Sequence, residues 1–313
     1  MKLLVTGASG FVGKALCVEA VARGLQVRAV SRFSSGYLGK SECVSIGNID
    51  SSTSWSDALN GCDVVVHLAA RAHVMNETSH DPLMEFRKVN VEGTLNLARQ
   101  GVAVGIRRFI YISSIGVNGA ETDGAPFGVM DEPVPHSDYA LSKYEAELGL
   151  RKLAFETGIE VVIIRPPLIY GPNAPGNFGT LTRWLQRGVP LPLGAVTQNR
   201  RSLVALDNLL DLILTCAQHP KAVNQTFLVS DGADLSTTEL LQRMGRAMNQ
   251  PVRLLPVSTK FLAFTANLFG KSATAQSLMG SLQVDISQTC EVLDWSPPVS
   301  VDEGLRRAVE VRG

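Results

Sequence analysis

The chain has no surplus of charge of either sign: 29 Lys and Arg balance 29 Asp and Glu, and the pI is near 7. An even balance leaves no electrostatic footprint for nucleic acid or for an anionic membrane, so neither is an expected partner. Cysteine is scarce as well. Cys17, Cys43, Cys62, Cys216 and Cys290 are odd in number, far apart and without a CxxC pair. That excludes a disulfide or zinc framework, and the five read as buried small apolar residues in a reducing compartment. No metal site is expected. Long apolar runs are missing: Leu203 to Leu214 is the best candidate, and Asp207, Asn208 and Asp211 interrupt it. It falls short of the ~18–20 residues that span a bilayer. No charged leader or apolar h-region precedes Lys2-Leu-Leu-Val-Thr6, and the expected location is cytoplasmic. Repeats and low-complexity tracts are absent too.

What remains is an ordinary globular composition, 45% hydrophobic and 19% charged over 313 residues, enough for one large core or two modest ones. Leu3–Thr6 is a short apolar strand that runs into Gly7-Ala-Ser-Gly10-Phe11-Val12-Gly13, and a helical pattern follows as far as Gly24. Strand, glycine turn and helix in that order suit a pyrophosphate, because glycines let backbone N–H groups close on it and the helix N-terminus favours negative charge. The next strand, Gln26–Val30, ends in Ser31-Arg32-Phe33-Ser34-Ser35 with no acidic residue. An acid there would bind a ribose 2′-hydroxyl, whereas arginine suits a 2′-phosphate, so Arg32 favours NADP over NAD.

Further strands are expected at Cys43–Ile46, Asp63–His67, Phe109–Ile112 and Glu160–Ile164, alternating with helices. This alternation predicts a Rossmann-type, doubly wound parallel sheet of the α/β class. His67, closing an apolar strand, reads as a satisfied core histidine, and Leu68-Ala69-Ala70 after it are small enough for a ligand ring to approach. A long helix over 83–104 carries Asn90, which is unfavourable inside a helix unless its amide finds a partner. Ser113-Ser114 fall at the carboxyl end of a strand, where the ligand crevice of such sheets lies. A connection of some 23 residues follows and leads to Asp138, a candidate N-cap.

On the helix beyond it, Tyr139 and Lys143 are four apart and share a face. A tyrosine works as acid or base near neutrality only if its pKa falls from ~10 towards 7, worth ~4 kcal/mol. A unit charge at ~4 Å in a partly screened site supplies about that much.

Six stretches together resemble the extended short-chain dehydrogenase/reductase family, in its epimerase/dehydratase branch: Thr6-Gly7-Ala-Ser-Gly10-Phe-Val-Gly13, His67-Leu-Ala-Ala70, Val89-Asn90-Val-Glu-Gly93-Thr94, Ile112-Ser113-Ser114, Tyr139-x-x-x-Lys143 and Arg165-Pro166-Pro167-Leu-Ile-Tyr170-Gly171-Pro172. The resemblance implies that Gly7, Gly10, Phe11, Val12 and Gly13 hold the pyrophosphate, that Asn48 and Ile49 flank the adenine, and that Leu68, Ala69, Ala70, Asn90 and Pro166 line the dinucleotide. It implies Tyr139 as the acid/base. Lys143 would lower the pKa of Tyr139 and bind the nicotinamide ribose, and Ser114 would hydrogen-bond the reacting sugar oxygen. Arg201 and Asn177 fall where relatives grip the substrate diphosphate. There are departures: Val117-Asn118-Gly119 replaces Val-Tyr-Gly, Gly116 stands where hexose 4-epimerases often have Thr, and Leu168 replaces an asparagine.

The resemblance further implies a dinucleotide-binding domain over 1–170, rejoined by 202–230, and a smaller α/β substrate lobe built from 171–201 and 231–313. The substrate is expected to be a nucleoside-diphosphate sugar, the cofactor NADP or NAD, and the assembly a homodimer. The leading expectation is a 4-ketoreductase acting on a UDP-4-keto-6-deoxy-N-acetylhexosamine of surface-polysaccharide synthesis. A UDP-hexose or UDP-N-acetylhexosamine 4-epimerase is the alternative, with a non-catalytic NAD(P)-binding regulator behind both. The Thr-Asp-Glu cluster of 4,6-dehydratases is missing from Ser113-Ser114-Ile115.

Overall fold

Strands rich in Val and Ile, apolar at nearly every position, belong in a sheet covered on both faces. The computed structural model, which describes residues 1–32, 41–72, 81–270 and 272–310, has that arrangement. Its strands are β1 (Lys2–Thr6), β2 (Gln26–Ser31), β3 (Glu42–Ser45), β4 (Val64–His67), β5 (Arg108–Ile112), β6 (Glu160–Arg165), β7 (Leu168–Tyr170), β8 (Arg201–Ala205), β9 (Thr226–Leu228) and β10 (Asp234–Leu235). Seven of them form one sheet in the order β3-β2-β1-β4-β5-β6-β9, and every pairing in it is parallel. The order reverses beside β1, so the crevice at the carboxyl ends opens where the glycine turn leaves β1.

Alternation along the strands splits the core in two. Leu3 and Val5 face one side with Ile110, Ile164 and the helix Leu206–Gln218. Leu4, Val65, Phe109 and Tyr111 face the other, against the helices Thr94–Ala103 and Asp138–Thr157. A third core gathers Tyr170, Phe178, Leu193, Leu241 and Leu305 beside a small sheet ordered β10-β8-β7. Phe11 packs against both the first and the third core and ties the glycine turn to the carboxyl-terminal elements.

The helix expected over 83–104 is interrupted. Pro82–Arg87 and Thr94–Ala103 are α-helical, and Lys88–Gly93 between them is a π turn containing Asn90. The helix Asp138–Thr157 is capped by Ser137 and not by Asp138: the Ser137 hydroxyl accepts from Ala140 N at 3.2 Å, and Asp138 occupies the first turn. Cys17, Cys62 and Cys216 are buried as expected, but Cys43 is exposed because β3 is an edge strand. Among the described residues no helix is long and apolar enough to cross a membrane, and no group of His, Cys, Asp and Glu could hold a metal ion.

Candidate active site

The glycine turn is built for close approach. Gly7 has φ +67°, and a Cβ there would stand 2.8 Å from Ala69 N. A Cβ at Gly13 would overlap the carbonyl oxygen of Gly7. The helix Phe11–Ala22 begins at Gly10 with no side-chain cap and no acid in its first turn. Its first N–H groups therefore need an outside acceptor. A cradle that any side chain would fill, at an uncapped helix start, fits a dinucleotide pyrophosphate held on the N–H groups of Phe11, Val12 and Gly13.

Leu68, Ala69 and Ala70 line the same crevice, half-buried after β4. Asn90 fixes the segment that follows them. Its Oδ1 accepts from Arg71 N at 2.8 Å, and its Nδ2 donates to Arg71 O at 3.0 Å and to Ser142 Oγ at 2.9 Å. The π turn lets a fully buried amide make these bonds sideways, which removes the penalty of an asparagine inside a helix. Asn90 thus joins the β4 loop to the helix of Tyr139. Ile49 packs against Gly93 in the π turn, where a Cβ would meet its Cγ2 at 2.6 Å. Asn48 is exposed, and its carbonyl accepts from Thr53 Oγ1 at 2.9 Å. Arg32 is exposed at the end of β2, and its carbonyl accepts from Ser45 Oγ at 3.0 Å. Phe33, Ser34 and Ser35 lie outside the described residues.

Beneath the crevice His67 is fully buried, with Nδ1 2.8 Å from Thr6 Oγ1 and Nε2 3.0 Å from Thr94 Oγ1. Burial holds its pKa down at about 3. It is the neutral core histidine expected.

Tyr139 and Lys143 share the inner face of their helix. Lys143 Nζ donates to Ile112 O at 2.8 Å, and lies 4.5 Å from the Tyr111 ring centre and 5.9 Å from that of Tyr139. Burial dominates both groups. It pushes the Tyr139 phenol up to about 12 and the Lys143 ammonium down to about 7, with Glu147 pulling the latter back only in part. This corrects the expectation that Lys143 draws the phenol towards 7. In the protein by itself desolvation of the phenol dominates, and the Lys143 amine is engaged by Ile112 O. Ser114, extended at φ −155°, caps a short 3₁₀ turn by accepting from Gly116 N at 3.1 Å, so its hydroxyl proton stays available. Pro166 is buried alongside, and its carbonyl accepts from Ile115 N at 3.0 Å.

Two features escape a reading of the sequence. Glu147 is fully buried and takes Arg165 in a two-pronged pair, Nε to Oε1 at 2.9 Å and Nη2 to Oε2 at 2.6 Å. It also accepts from Ser113 Oγ at 2.6 Å, while Arg165 Nη1 donates to Asn118 Oδ1 at 3.0 Å. Asn118 Nδ2 in turn donates to Gly128 O at 3.0 Å. The spacing Tyr139, Lys143, Glu147 is the available signal, since steps of four place all three on one helix face. The second feature is His136, whose Nδ1 is 3.2 Å from Gly116 O. Its Cε1 stands 3.0 Å from where a Gly116 Cβ would be, so the ring takes up room that the missing side chain leaves.

The two expected substrate contacts bond to carboxyl-terminal residues. Asn177 is exposed and donates to Ser277 Oγ at 3.0 Å. Arg201, on β8, donates to Gly280 O at 3.1 Å, and burial lowers its pKa against the opposing pull of Glu121.

A family profile and several known proteins resemble this chain. The profile of the NAD dependent epimerase/dehydratase family matches residues 3–230. A UDP-glucose 4-epimerase of Vibrio cholerae is 45% identical, covering 98% of this chain and 94% of the relative. An N-acetyl-alpha-D-glucosaminyl-diphospho-ditrans,octacis-undecaprenol 4-epimerase of Escherichia coli O157:H7 is 28% identical, covering 80% of this chain and 73% of the relative. Among solved structures, a UDP-N-acetylglucosamine 4-epimerase of Bacillus cereus superposes with a TM-score of 0.80 at 22% identity, covering 99% of this chain and 98% of that one. That last likeness speaks to the fold. A glycine cradle, a Tyr-x-x-x-Lys helix and a serine at the carboxyl end of a strand, under a family profile that takes in most of the sequence, place this chain in the NAD dependent epimerase/dehydratase family of extended short-chain dehydrogenases/reductases.

Proposed function

We propose that this chain is an NAD-dependent 4-epimerase of a UDP-linked hexose or N-acetylhexosamine. One observation carries the reading: the Vibrio cholerae UDP-glucose 4-epimerase is 45% identical along nearly the full length of both chains. The site residues suit the chemistry. Tyr139 takes the proton from the sugar C4 hydroxyl and later returns it to that oxygen. Ser114 donates a hydrogen bond to the same oxygen, and Lys143 stabilises the tyrosinate and binds ribose hydroxyls. The dinucleotide, held by Gly7, Gly10, Phe11, Val12, Gly13 and the wall of Leu68–Ala70, Asn90 and Pro166, supplies the hydride acceptor and donor together with a positive charge that favours the phenolate. Arg201 and Asn177 hold the diphosphate and sugar. The ketosugar must turn over before reduction on its other face, and the substrate lobe of 171–201 and 231–313 provides the room. The dinucleotide-binding part comprises 1–170 and 202–230.

A second reading, 4-ketoreduction of a UDP-4-keto-6-deoxy-N-acetylhexosamine, is favoured by Arg32. It closes β2 where no acid stands, and it suits the 2′-phosphate of NADP, the usual reductant of biosynthetic reductases. Incubation with UDP-glucose or UDP-N-acetylglucosamine and NAD, read by proton NMR, separates the readings. Epimer formation without net coenzyme reduction supports the epimerase. Stoichiometric NADPH oxidation by a 4-keto sugar, with no epimer from either UDP sugar, would replace it with the reductase. Coenzyme binding without turnover would leave a regulator.

The same reading includes a homodimer, formed through the long helices. Leu148 and Phe155 on Asp138–Thr157 are 48% and 94% exposed, and they provide an apolar face for it.

A further inference from the structure

The helix Thr259–Leu268 presents its apolar side to solvent. Phe261, Phe264 and Leu268 are 59%, 68% and 70% exposed, and Phe269, just after the helix, is 73% exposed. Their spacing of three and then four makes one stripe, while Leu262 on the other side packs into the third core. An aromatic stripe of this kind on a surface marks an interaction face.

Charge decides what covers it. From Leu240 to Val284 there is no acidic residue, whereas Arg243, Arg246, Arg253, Lys260 and Lys271 fall in that stretch. From Gly171 to Leu206 there is again no acid, against Arg183, Arg187, Arg200 and Arg201. The acids of the carboxyl-terminal lobe fall within 231–239 and 285–310, outside these two basic segments, and the lobe as a whole carries 12 Lys and Arg against 9 Asp and Glu. A second copy of the chain, docked face to face, would bring like charges together. An anionic surface would not. Lys260 on the stripe's own helix is exposed, as are Arg246 and Arg253 in the segment before it. Exposed Phe and Leu flanked by Lys and Arg are what an interfacial helix presents to a bilayer.

We propose that the carboxyl-terminal lobe docks on an anionic phospholipid bilayer, with Phe261, Phe264, Leu268 and Phe269 entering the headgroup boundary and Lys260 and the neighbouring arginines meeting the headgroups. The docking helix adjoins the helix Ser272–Met279, whose Ser277 bonds Asn177, and Gly280 beyond it bonds Arg201. The bilayer face therefore lies beside the segment that contacts both of these residues. This docking is independent of which sugar the site takes.

Sedimentation of the full chain with vesicles tests it. The wild type is expected to bind phosphatidylcholine vesicles that contain phosphatidylglycerol, to bind pure phosphatidylcholine only weakly, and to be released by salt. The double variant Phe264→Asp, Leu268→Asp should lose at least ~10-fold in partitioning at an unchanged melting temperature, the replaced side chains being solvent-exposed. Lys260→Glu should weaken binding less and reduce its salt dependence. Failure of the wild type to bind the anionic vesicles would overturn the proposal, as would undiminished binding by the double variant. If the wild type self-associates and the double variant does not, the face belongs to a second copy instead.

Discussion

Replacing Glu147 with methionine leaves Arg165 charged and buried without its partner. The magnitude follows from the hydrogen bonds that the carboxylate makes. Glu147 accepts two from Arg165, one from Ser113 and one from Arg151, and the side chains of Glu147 and Arg165 are 0% and 2% exposed. Removing one member of such a pair is expected to cost ~3–5 kcal/mol. Against a typical total of ~5–15 kcal/mol this is a third or more of the protein's stability. Converting both residues, Glu147→Met with Arg165→Met, removes the stranded charge and leaves Ser113, Asn118 and the exposed Arg151 short of one partner each, at about 1 kcal/mol or less apiece. The double variant should thus be more stable than Glu147→Met alone. Urea unfolding followed by circular dichroism measures both, and a constant slope confirms that the denatured state is unchanged. A single variant destabilised by less than ~1 kcal/mol would refute the reasoning, and so would a double variant no more stable than the single.

Lys143→Met should stabilise the coenzyme-free protein by ~1–3 kcal/mol near neutral pH while abolishing turnover, because it relieves a buried ammonium. The sign follows from its folded pKa of about 7 against 10.5. Between those values the unfolded chain binds a proton that the folded chain lacks, so wild-type stability rises with pH across that window. In the variant this rise should be missing from a series of urea melts. Gly13→Ala should destabilise by ~1–3 kcal/mol through overlap with Gly7 O and abolish dinucleotide binding measured by calorimetry. Binding near wild-type affinity would remove the glycine turn from the site. Asn90→Ala removes three hydrogen bonds, to Arg71 N, Arg71 O and Ser142 Oγ, and should lower stability by at least ~2 kcal/mol. A loss below ~0.5 kcal/mol, read by thermal melting, would show that the π turn is held by something else.

The parallel sheet is legible in the sequence because its strands are short, β-branched runs separated by helix-period segments, and the glycine turn announces where the crevice opens. Serine pair, tyrosine and lysine can be placed because each sits at an element end or at a fixed helical spacing. Pairing between distant residues cannot be read in this way. Nothing local says that Glu147 takes Arg165, that His136 fills the room beside Gly116, or that Asn90 bends its helix into a π turn to reach Arg71. The pKa of Tyr139 departs from expectation for the same reason. Its neighbour is visible in the sequence, but its burial is not. Total charge also hides how the charges are distributed, and the exposed stripe on Thr259–Leu268 gives the acid-free segments a surface to act on.

That one phenol moves the proton at the sugar C4 oxygen is tested most directly by following epimerisation of UDP-glucose by wild type and Tyr139→Phe at matched dinucleotide saturation. The variant is expected to bind the dinucleotide as tightly as wild type and to turn over at least ~100-fold more slowly. Turnover within a few-fold of wild type would contradict that role for Tyr139.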